Sequence, residues 1–289
     1  MAPVIQELLD AATVRLQPFT DTPQLDAQVL LSHILEKPRT WLLAHSASVL
    51  DGVPAATFES MVQQLEHGEA LPYLLGHWEF FGLDFDLTPD VLIPRPETEL
   101  LVERGITWLQ ASPSRRRLAD LGTGSGCIGI ALANNIANLH IMATDISLAA
   151  LNVARRNALK LGVTHQIDFV ECDILPKHNG VYSNDYKFDM ICANLPYIPT
   201  NTLRSLPVNE REPLLALDGG SDGLDPFRKL FKLVPEWIAS GGHILLEVEA
   251  TQGASVLSLA YDAFNEAELH LRKDLTGRDR LLEIQLPLD

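Results

Sequence analysis

The spacing of apolar residues changes once along the chain, near residue 76. Before that point, apolar positions recur every three or four residues, which predicts amphipathic helices. We place these helices at residues 3–17, 22–36, 38–43 and 51–65. Thr22 is expected to cap the second helix, because Pro23 suits its first turn. Residues 1–76, which end in a turn or short helix, are therefore predicted to form a small helical bundle.

After residue 76 the pattern becomes strand-like. Alternation around Gly82 predicts a β-hairpin that links two domains across residues 77–93. From residue 94 to the end, strand-like and helix-like runs alternate, which is typical of a Rossmann-like α/β domain with a mostly parallel, doubly wound sheet. Its predicted strands are 117–121, 139–144, 166–171, 188–193 and 243–248, and its predicted helices are 126–136, 148–161, 225–239 and 252–265. Residues 268–286 predict a closing antiparallel pair.

A cluster of glycines follows the first strand of this domain. Gly122, Gly124 and Gly126 allow a sharp turn and a close approach to a ligand. The next helix would aim its unpaired N–H groups and its positive dipole end at the same point. Asp145 ends the second strand, where a carboxylate can accept hydrogen bonds from ribose hydroxyls. Together these features predict a bound nucleoside.

The glycines alone do not identify the nucleoside. Gly124-Ser-Gly-Cys-Ile-Gly129 fits the dinucleotide fingerprint, and Asp145 lies where that fingerprint places its acid. Asp120 favours another ligand, because its carboxylate would repel a pyrophosphate but suits the ammonium of an amino-acid moiety. A P-loop is excluded, since no Lys-Ser/Thr follows the glycines.

The segment after the fourth strand carries the groups expected to hold a substrate. Asn194 supplies one carbonyl acceptor and one amide donor. Pro196 biases Leu195 toward extended geometry and so fixes the Leu195 carbonyl. Tyr197 offers a flat face. Two acceptors beside an aromatic wall suit an NH2 group on a planar substrate.

Other loops are expected at the same edge of the sheet. Ligands bind beyond the carboxyl ends of parallel strands, so Asp173, which follows the third strand, should join the glycine turn. Arg95 stands between two prolines, which suggests that its loop faces the ligand. The segment 212–223 has closely spaced acids and glycines but fails as an EF-hand, because the twelfth position from Asp218 is Lys229. We expect it to form a shaped loop over the active site, and we expect no metal site.

Composition and charge limit the classes of partner. The 289 residues have a net charge of −16, and the first 93 contain 3 basic and 13 acidic residues, a net of −10. Nucleic-acid binders normally show a basic footprint, so we expect no stable nucleic-acid binding; the acidity serves solubility or a basic protein partner. No apolar run reaches the ~18 residues that span a bilayer, and the N-terminus lacks the basic start of a signal peptide. The cysteines are expected to be buried free thiols in a reducing cytoplasm.

Short motifs from residue 71 to the end resemble those of the HemK/PrmC family. Its members are S-adenosylmethionine-dependent N5-glutamine methyltransferases that act on peptide-chain release factors. The glycine motif alone is not specific, but the combination is. The motifs are Leu71-Pro-Tyr-Leu-Leu-Gly, Phe81-Gly-Leu, Leu92-Ile-Pro-Arg-Pro-Glu-Thr-Glu99, Asp120-Leu-Gly-Thr-Gly-Ser-Gly126, Asn194-x-Pro-Tyr197, Glu212-Pro with Asp218-Gly-Gly, and Gly277-Arg-Asp-Arg280.

The resemblance implies a class I methyltransferase domain over residues 94–289, a helical substrate-recognition domain over 1–76, and a cytoplasmic monomer. It implies that the glycine turn passes under the methionine and ribose of S-adenosylmethionine, with the third-strand end by the adenine. Asn194–Tyr197 would then grip the substrate glutamine as the catalytic segment. The expected cofactor contacts are Asp120, Gly122, Thr123, Gly124, Ser125, Gly126, Asp145, Asp173, Ile174, Asn194 and Arg95.

Two positions depart from the family pattern. Leu195 replaces the first proline of the usual Asn-Pro-Pro-Tyr, which keeps the backbone carbonyl but loses some rigidity. Glu249 replaces the usual glycine two residues after Glu247, the acid that ends the fifth strand. Asn-Leu-Pro-Tyr is also similar to the motif of ribosomal RNA adenine-N6 methyltransferases, which would need a basic surface that is scarce here. A non-catalytic interaction module of the same fold is the third alternative.

Overall fold

The computed structural model describes residues 3–177 and 186–288. The chain divides into two compact units, Met1–His77 and Trp78–Asp289. The predicted helical domain ends one residue before this division. Each unit has its own buried apolar residues.

The first unit is built from helices. Its core includes the fully buried side chains of Leu30, Leu42 and Phe58. Arg15 joins the first helix to the fourth through Glu59 and Glu66, at 2.8 and 2.6 Å. The helices are α1 (Ile5–Leu16), α2 (Pro23–Leu35), α3 (Arg39–Ala44), α4 (Gly52–Glu66) and α5 (Leu71–Leu75).

One local prediction in this unit is wrong. Thr22 precedes α2, but its side chain makes no capping hydrogen bond. The hydroxyl instead donates to Oδ1 of Asp26 at 3.0 Å. Pro23 still occupies the first turn, where its missing N–H costs nothing.

The predicted hairpin is formed by β1 (His77–Phe80) and β2 (Leu83–Asp86), and all of it except His77 lies in the second unit. Helix α6 (Glu99–Ala111) follows a single turn of 3-10 helix at Pro96–Thr98. A seven-stranded sheet then forms the centre of the unit. Its strands are β3 (Arg117–Leu121), β4 (His140–Asp145), β5 (Ile167–Glu171), β6 (Phe188–Ala193), β7 (Ile238–Glu247), β8 (Glu268–Lys273) and β9 (Asp279–Gln285).

The strand order explains where a ligand can bind. The order is β5-β4-β3-β6-β7-β9-β8, and β9 is antiparallel to both of its neighbours while the other pairs are parallel. From β3 the chain winds outward to β4 and β5, and then returns to β6 on the other side of β3. This reversal opens a crevice beyond the carboxyl ends of β3 and β6, which is where such sheets bind ligands. The α/β fold predicted from the sequence is confirmed.

Helices pack on both faces of the sheet. They are α6, α7 (Cys127–Asn135), α8 (Leu148–Lys160), α10 (Asp225–Leu233) and α11 (Gly253–Ala263), while the short α9 (Thr200–Leu203) lies in the segment after β6. Because both faces are covered, the central strands are apolar along most of their length, as parallel sheets require. On β6, for example, Phe188, Met190 and Ile191 are fully buried.

The predicted helix 225–239 is too long. Helix α10 ends at Leu233, because Pro235 lacks the N–H that a continuing α-helix needs. Strand β7 then begins at Ile238, five residues before the predicted start. The sequence does not reveal the early part of β7, because Gly241 and Gly242 interrupt its apolar pattern. The register against β6 shifts in this part of the strand, and Gly241 has a φ of 62°.

The cysteines also differ in part from expectation. All three are free, but only Cys192 is buried; Cys127 and Cys172 are partly exposed. Burial raises the pKa of the Cys127 thiol to about 12 and that of Cys172 to about 11, so both are poor nucleophiles near neutral pH. Among the described residues, no helix combines the length and apolar character needed to cross a membrane.

Candidate active site

The glycine turn joins β3 to α7, and its three glycines have different surroundings. Gly122, Gly124 and Gly126 have φ angles of 67°, 56° and 84°. A Cβ on Gly126 would lie 2.7 Å from Cδ1 of Ile130, and one on Gly122 would lie 3.2 Å from Cδ2 of Leu195. A Cβ on Gly124 would meet nothing within 4 Å. The turn is therefore packed at both ends and open in the middle.

Asp120 lies under this turn and is fully buried. Its Oδ2 accepts hydrogen bonds from the Thr123 hydroxyl at 2.6 Å and from the Gly129 N–H at 3.0 Å. Its Oδ1 is buried without a hydrogen-bond partner. Burial raises the pKa of this carboxyl to about 6. A buried, unpaired carboxylate oxygen calls for a donor such as an ammonium group.

Asp145 ends β4 and meets the open middle of the glycine turn. Its Oδ2 accepts from the Gly124 N–H and its Oδ1 from the Ser147 N–H, both at 2.9 Å. Burial raises the pKa of this carboxyl, while those two hydrogen bonds lower it. Each carboxylate oxygen has a second lone pair, so Asp145 can still accept from a pair of hydroxyls.

The remaining predicted cofactor residues of the turn hold it in place. The Thr123 N–H donates to the Thr144 carbonyl at 2.8 Å, which ties the turn to β4. The Ser125 carbonyl accepts from Nδ2 of Asn157 at 2.9 Å, which ties it to α8. Thr123 and Ser125 are both buried. Both residues therefore hold the turn through backbone groups, and Thr123 also holds it through the bond from its hydroxyl to Asp120.

The turn after β5 carries Asp173 and Ile174. Ile174 has a φ of 70°, which is unusual for a β-branched residue. Its carbonyl accepts from the Thr144 hydroxyl at 2.7 Å. Asp173 forms an ion pair with Nζ of Lys229 on α10, and its side chain is half exposed. Asp173 therefore reaches the predicted edge of the sheet with its carboxylate already paired.

The Asn194–Tyr197 segment continues from β6 directly beside the glycine turn. Leu195 packs against Gly122 and has only 5% of its surface exposed. Nδ2 of Asn194 donates to the hydroxyl oxygen of Thr98 at 3.2 Å. In the described part of the chain, neither Oδ1 of Asn194 nor the Leu195 carbonyl accepts a hydrogen bond. Both acceptors predicted for a substrate NH2 group are therefore available.

The 212–223 loop shapes this segment, as the sequence predicted. The Ile198 N–H donates to the Leu217 carbonyl at 3.0 Å, and the Gly219 N–H donates to the Ile198 carbonyl at 2.9 Å. A Cβ on Gly223 would lie 2.2 Å from the Tyr197 carbonyl oxygen, so only glycine fits there. In the described ranges, no group of three or more His, Cys, Asp or Glu residues could hold a metal ion.

Arg95 binds this loop through an ion pair with Glu212. The other oxygen of that carboxylate accepts from the Ile93 N–H at 3.1 Å. Glu212 is buried, whereas about a third of the Arg95 side chain is exposed. The guanidinium thus holds the loop, and its assignment to the cofactor stays a prediction.

Sequence reasoning missed two residues of this site, Thr98 and Glu247. The Thr98 hydroxyl donates to Oε2 of Glu247 at 2.6 Å, and the Tyr197 hydroxyl lies 3.4 Å from Oε1. Burial and the neighbouring Glu247 raise the pKa of Tyr197, so its phenol stays neutral. From the sequence alone, Glu247 is only the acid that ends a predicted strand. Its place at the end of β7, next to β6, is the signal that could have linked it to Asn194.

The structure thus brings the glycine turn, Asp120, Asp145 and the Asn194–Tyr197 segment together at one crevice. Gly122 meets Leu195, and Gly124 meets Asp145. The crevice has an open backbone turn, an orphaned buried carboxylate oxygen and two free acceptors, a donor and acceptor set that suits an amino-acid nucleoside beside an NH2-bearing substrate.

Comparisons with known proteins agree with this description. Residues 7–76 match the model of the PrmC N-terminal domain, and residues 97–205 match that of the methyltransferase small domain. The crystal structure of a methyltransferase from Pyrococcus furiosus superposes with a TM-score of 0.52 at 16% identity, and covers 80% of this chain and 100% of that one. At this identity the likeness shows the fold alone.

Curated relatives extend over nearly the whole chain. The release factor glutamine methyltransferase of Moorella thermoacetica is 41% identical over 261 residues, which are 90% of each chain. That of Bradyrhizobium diazoefficiens is 38% identical over 261 residues, which are 89% of this chain and 86% of the relative. The chain therefore belongs to the HemK/PrmC family, the release factor glutamine methyltransferases.

Proposed function

We propose that this protein transfers the methyl group of S-adenosylmethionine to the side-chain amide nitrogen, N5, of a glutamine in peptide chain release factors. The observation that carries the proposal is the pair of free acceptors, Asn194 Oδ1 and the Leu195 carbonyl, beside the glycine turn. Family membership supports the same reaction, because the curated relatives are named for it.

The residues present fit the cofactor. The open middle of the turn at Gly124 leaves room for a ligand against the backbone. Asp145 has lone pairs left for ribose hydroxyls, and Oδ1 of Asp120 lacks a partner that an ammonium would supply. Asp173 and Ile174 are proposed to lie by the adenine. For Asp173 this requires sharing its carboxylate with Lys229.

The reaction is difficult because the lone pair of an amide nitrogen is delocalised into its carbonyl. When bound, S-adenosylmethionine supplies an electrophilic methyl group on a sulfonium. Asn194 Oδ1 and the Leu195 carbonyl accept the two amide hydrogens and so turn the nitrogen lone pair toward that methyl. Tyr197 fixes the plane of the amide. Orientation of this kind can lower a barrier by about 7–11 kcal/mol at best.

The acceptors also act electrostatically. Positive charge develops on the amide nitrogen as the new bond forms, and hydrogen bonds to Asn194 and Leu195 strengthen as it does. Neither group is a base near neutral pH, so each accepts a hydrogen bond from the amide nitrogen without removing its proton. After methyl transfer, the positively charged nitrogen therefore loses one proton to water.

The charge of the chain favours a protein substrate over RNA. The first unit, residues 1–77, carries nine acidic and three basic residues, a net of −6, and the whole chain −16. Such a surface repels phosphates but can attract a basic protein surface. We propose on this basis that the first unit recognises the release factor and that the protein binds no nucleic acid stably. We propose separately that it works as a cytoplasmic monomer.

The test is a direct competition between the two substrate classes. The purified protein is incubated with labelled S-adenosylmethionine, a release factor and naked ribosomal RNA together. We expect label on one release-factor glutamine, located by mass analysis of peptides, and none in RNA. Label in RNA with none on the release factor would instead favour methylation of adenine N6 in ribosomal RNA.

An alanine variant separates catalysis from a non-catalytic role. Asn194→Ala should abolish methylation while cofactor affinity, measured by calorimetry, stays near that of the wild type. Asn152→Ala, the same change at an exposed position of α8, is the matched control and should retain full activity. Equal methylation by both variants would contradict the role of Asn194.

A further inference from the structure

A buried pair of side chains, Thr98 and Glu247, lies behind Asn194. Each has only 2% of its surface exposed. The Thr98 hydroxyl donates to Glu247 at 2.6 Å, and Asn194 Nδ2 donates to the Thr98 oxygen at 3.2 Å. The three side chains form one chain of hydrogen bonds. It begins at a carboxylate inside the protein and ends at the amide expected to hold the substrate.

The direction of this chain is fixed by chemistry. An ionised carboxylate can only accept, so the Thr98 proton points toward Glu247. The Thr98 oxygen can then only accept, and it must receive an N–H from Asn194. A reversed Asn194 amide would place two oxygen acceptors against each other. The amide is therefore held with Nδ2 inward and Oδ1 toward the crevice.

The surroundings of Glu247 support a role beyond stability. Burial raises the pKa of its carboxyl, the charge of Arg280 and the hydroxyls of Thr98 and Tyr197 lower it, and Glu97 raises it further. Within the described ranges no cation lies at ion-pair distance from it, so its partners are hydroxyl groups. A buried carboxylate without an ion pair is costly. If this side chain served packing alone, an apolar residue in its place would make the protein more stable.

We infer that Thr98 and Glu247 are positioning residues that set the orientation of the Asn194 amide, so that Oδ1 and not Nδ2 meets the substrate NH2 group. This inference rests on the proposed function, because only an NH2-bearing substrate needs an acceptor there. It also gives the orientation a dependence on protonation. A protonated Glu247 can donate, and the Thr98 proton is then free to point at Asn194 and favour the reversed amide.

The first test replaces the hydroxyl without changing the shape of the side chain. Thr98→Val should lower kcat on the order of a hundredfold, the cost of misplacing a reacting group. KM for the release factor and the affinity for S-adenosylmethionine should stay unchanged. Thr98→Ser should restore activity. Thr107→Val removes a hydroxyl that bonds the Glu103 carbonyl at 2.8 Å on the same helix, and is the matched control.

The second test uses pH and does not depend on the Thr98 variants. Glu247→Gln can present either its oxygen or its NH2 group to Thr98, so it no longer enforces one orientation. Its kcat should be several-fold below wild type at pH 8. This deficit should shrink toward zero as the pH falls, because Glu247 of the wild type is then protonated as well. A ratio of wild-type to variant kcat that is constant with pH would overturn the inference.

The two failures can be told apart. If the wild type does not methylate a release-factor glutamine, the proposed function fails. If it does, and Thr98→Val is as active as Thr107→Val, the function stands and the positioning role is wrong. Should Thr98→Val lose cofactor binding, the pH dependence of the Glu247→Gln ratio decides the question alone.

Discussion

At the scale of single residues, Asp120 gives the protein a measurable pH dependence. Its pKa is raised from 3.8 to about 6 by burial. The folded chain therefore holds this proton more tightly than the unfolded chain, so stability falls as the pH rises from about 4 to about 6. The difference of about two in pKa corresponds to about 3 kcal/mol. Above pH 6 the carboxylate is ionised and ready for a cation.

Asp120→Asn should remove this loss, since an amide does not titrate. Denaturant unfolding without cofactor at pH 4 and pH 7 would measure it. The wild type should lose about 3 kcal/mol relative to the variant over this range. Asp262→Asn, at an exposed position of α11, is the control and should follow the wild type. A wild-type-to-variant difference that does not change with pH would contradict the burial argument.

At the scale of elements, the turn from β3 to α7 separates two uses of glycine. Gly124 and Gly126 both have positive φ, but only Gly126 is crowded, by Ile130 at 2.7 Å and Ala154 at 3.2 Å. Alanine should cost about 1–2 kcal/mol at either position because of the left-handed backbone. At Gly126 overpacking adds about 1–3 kcal/mol. At Gly124 the new methyl group enters the space that the cofactor would use.

The two alanine variants should therefore fail in different ways. Gly126→Ala should be the less stable protein by denaturant unfolding, yet should bind S-adenosylmethionine well while folded. Gly124→Ala should be the more stable of the two but should bind the cofactor at least tenfold more weakly by calorimetry. Equal losses of affinity in the two variants would mean that the open middle of the turn does not face the cofactor.

The helices and strands also show how much of the fold could be predicted from the sequence. The strands from 117 to 193 were predicted to within about a residue, because glycines and acids punctuate apolar runs there. The end of α10 and the start of β7 were missed, since apolar residues continue at helix-like spacing past Pro235, at Leu230, Val234, Trp237 and Ile238. The glycine turn, Asp145 and Asn194 were accessible because each follows a strand in the same local pattern.

The rest of the site could not be read from the sequence. Thr98 and Glu247 are 149 residues apart, and each has an ordinary local explanation, one as a helix start and the other as a strand-end acid. Only the packing of α6, which starts directly after Thr98, against β7, which ends at Glu247, brings them together. The ion pairs of Arg95 with Glu212 and of Asp173 with Lys229 were hidden for the same reason.

At the scale of the whole molecule, cofactor binding and release-factor recognition are assigned to different units. Every residue assigned to the cofactor lies within Trp78–Asp289. A chain of residues 78–289 should therefore bind S-adenosylmethionine with the affinity of the full chain, as measured by calorimetry. Its KM for the release factor should rise, because the acidic first unit is missing. An unchanged KM would show that the second unit alone recognises the substrate.

The left-handed conformation of Ile174 gives the turn after β5, which we propose lies by the adenine, a backbone strain that the glycine turn lacks. A β-branched residue at a φ of 70° stores about 1–3 kcal/mol of strain. A buried hydrogen bond from the Thr144 hydroxyl to the Ile174 carbonyl, at 2.7 Å, holds this conformation. Glycines at positive φ store no such strain, because they have no Cβ. If the proposed adenine position is right, relief of this strain would favour the departure of a bound nucleoside past the turn after β5 more than past the glycine turn.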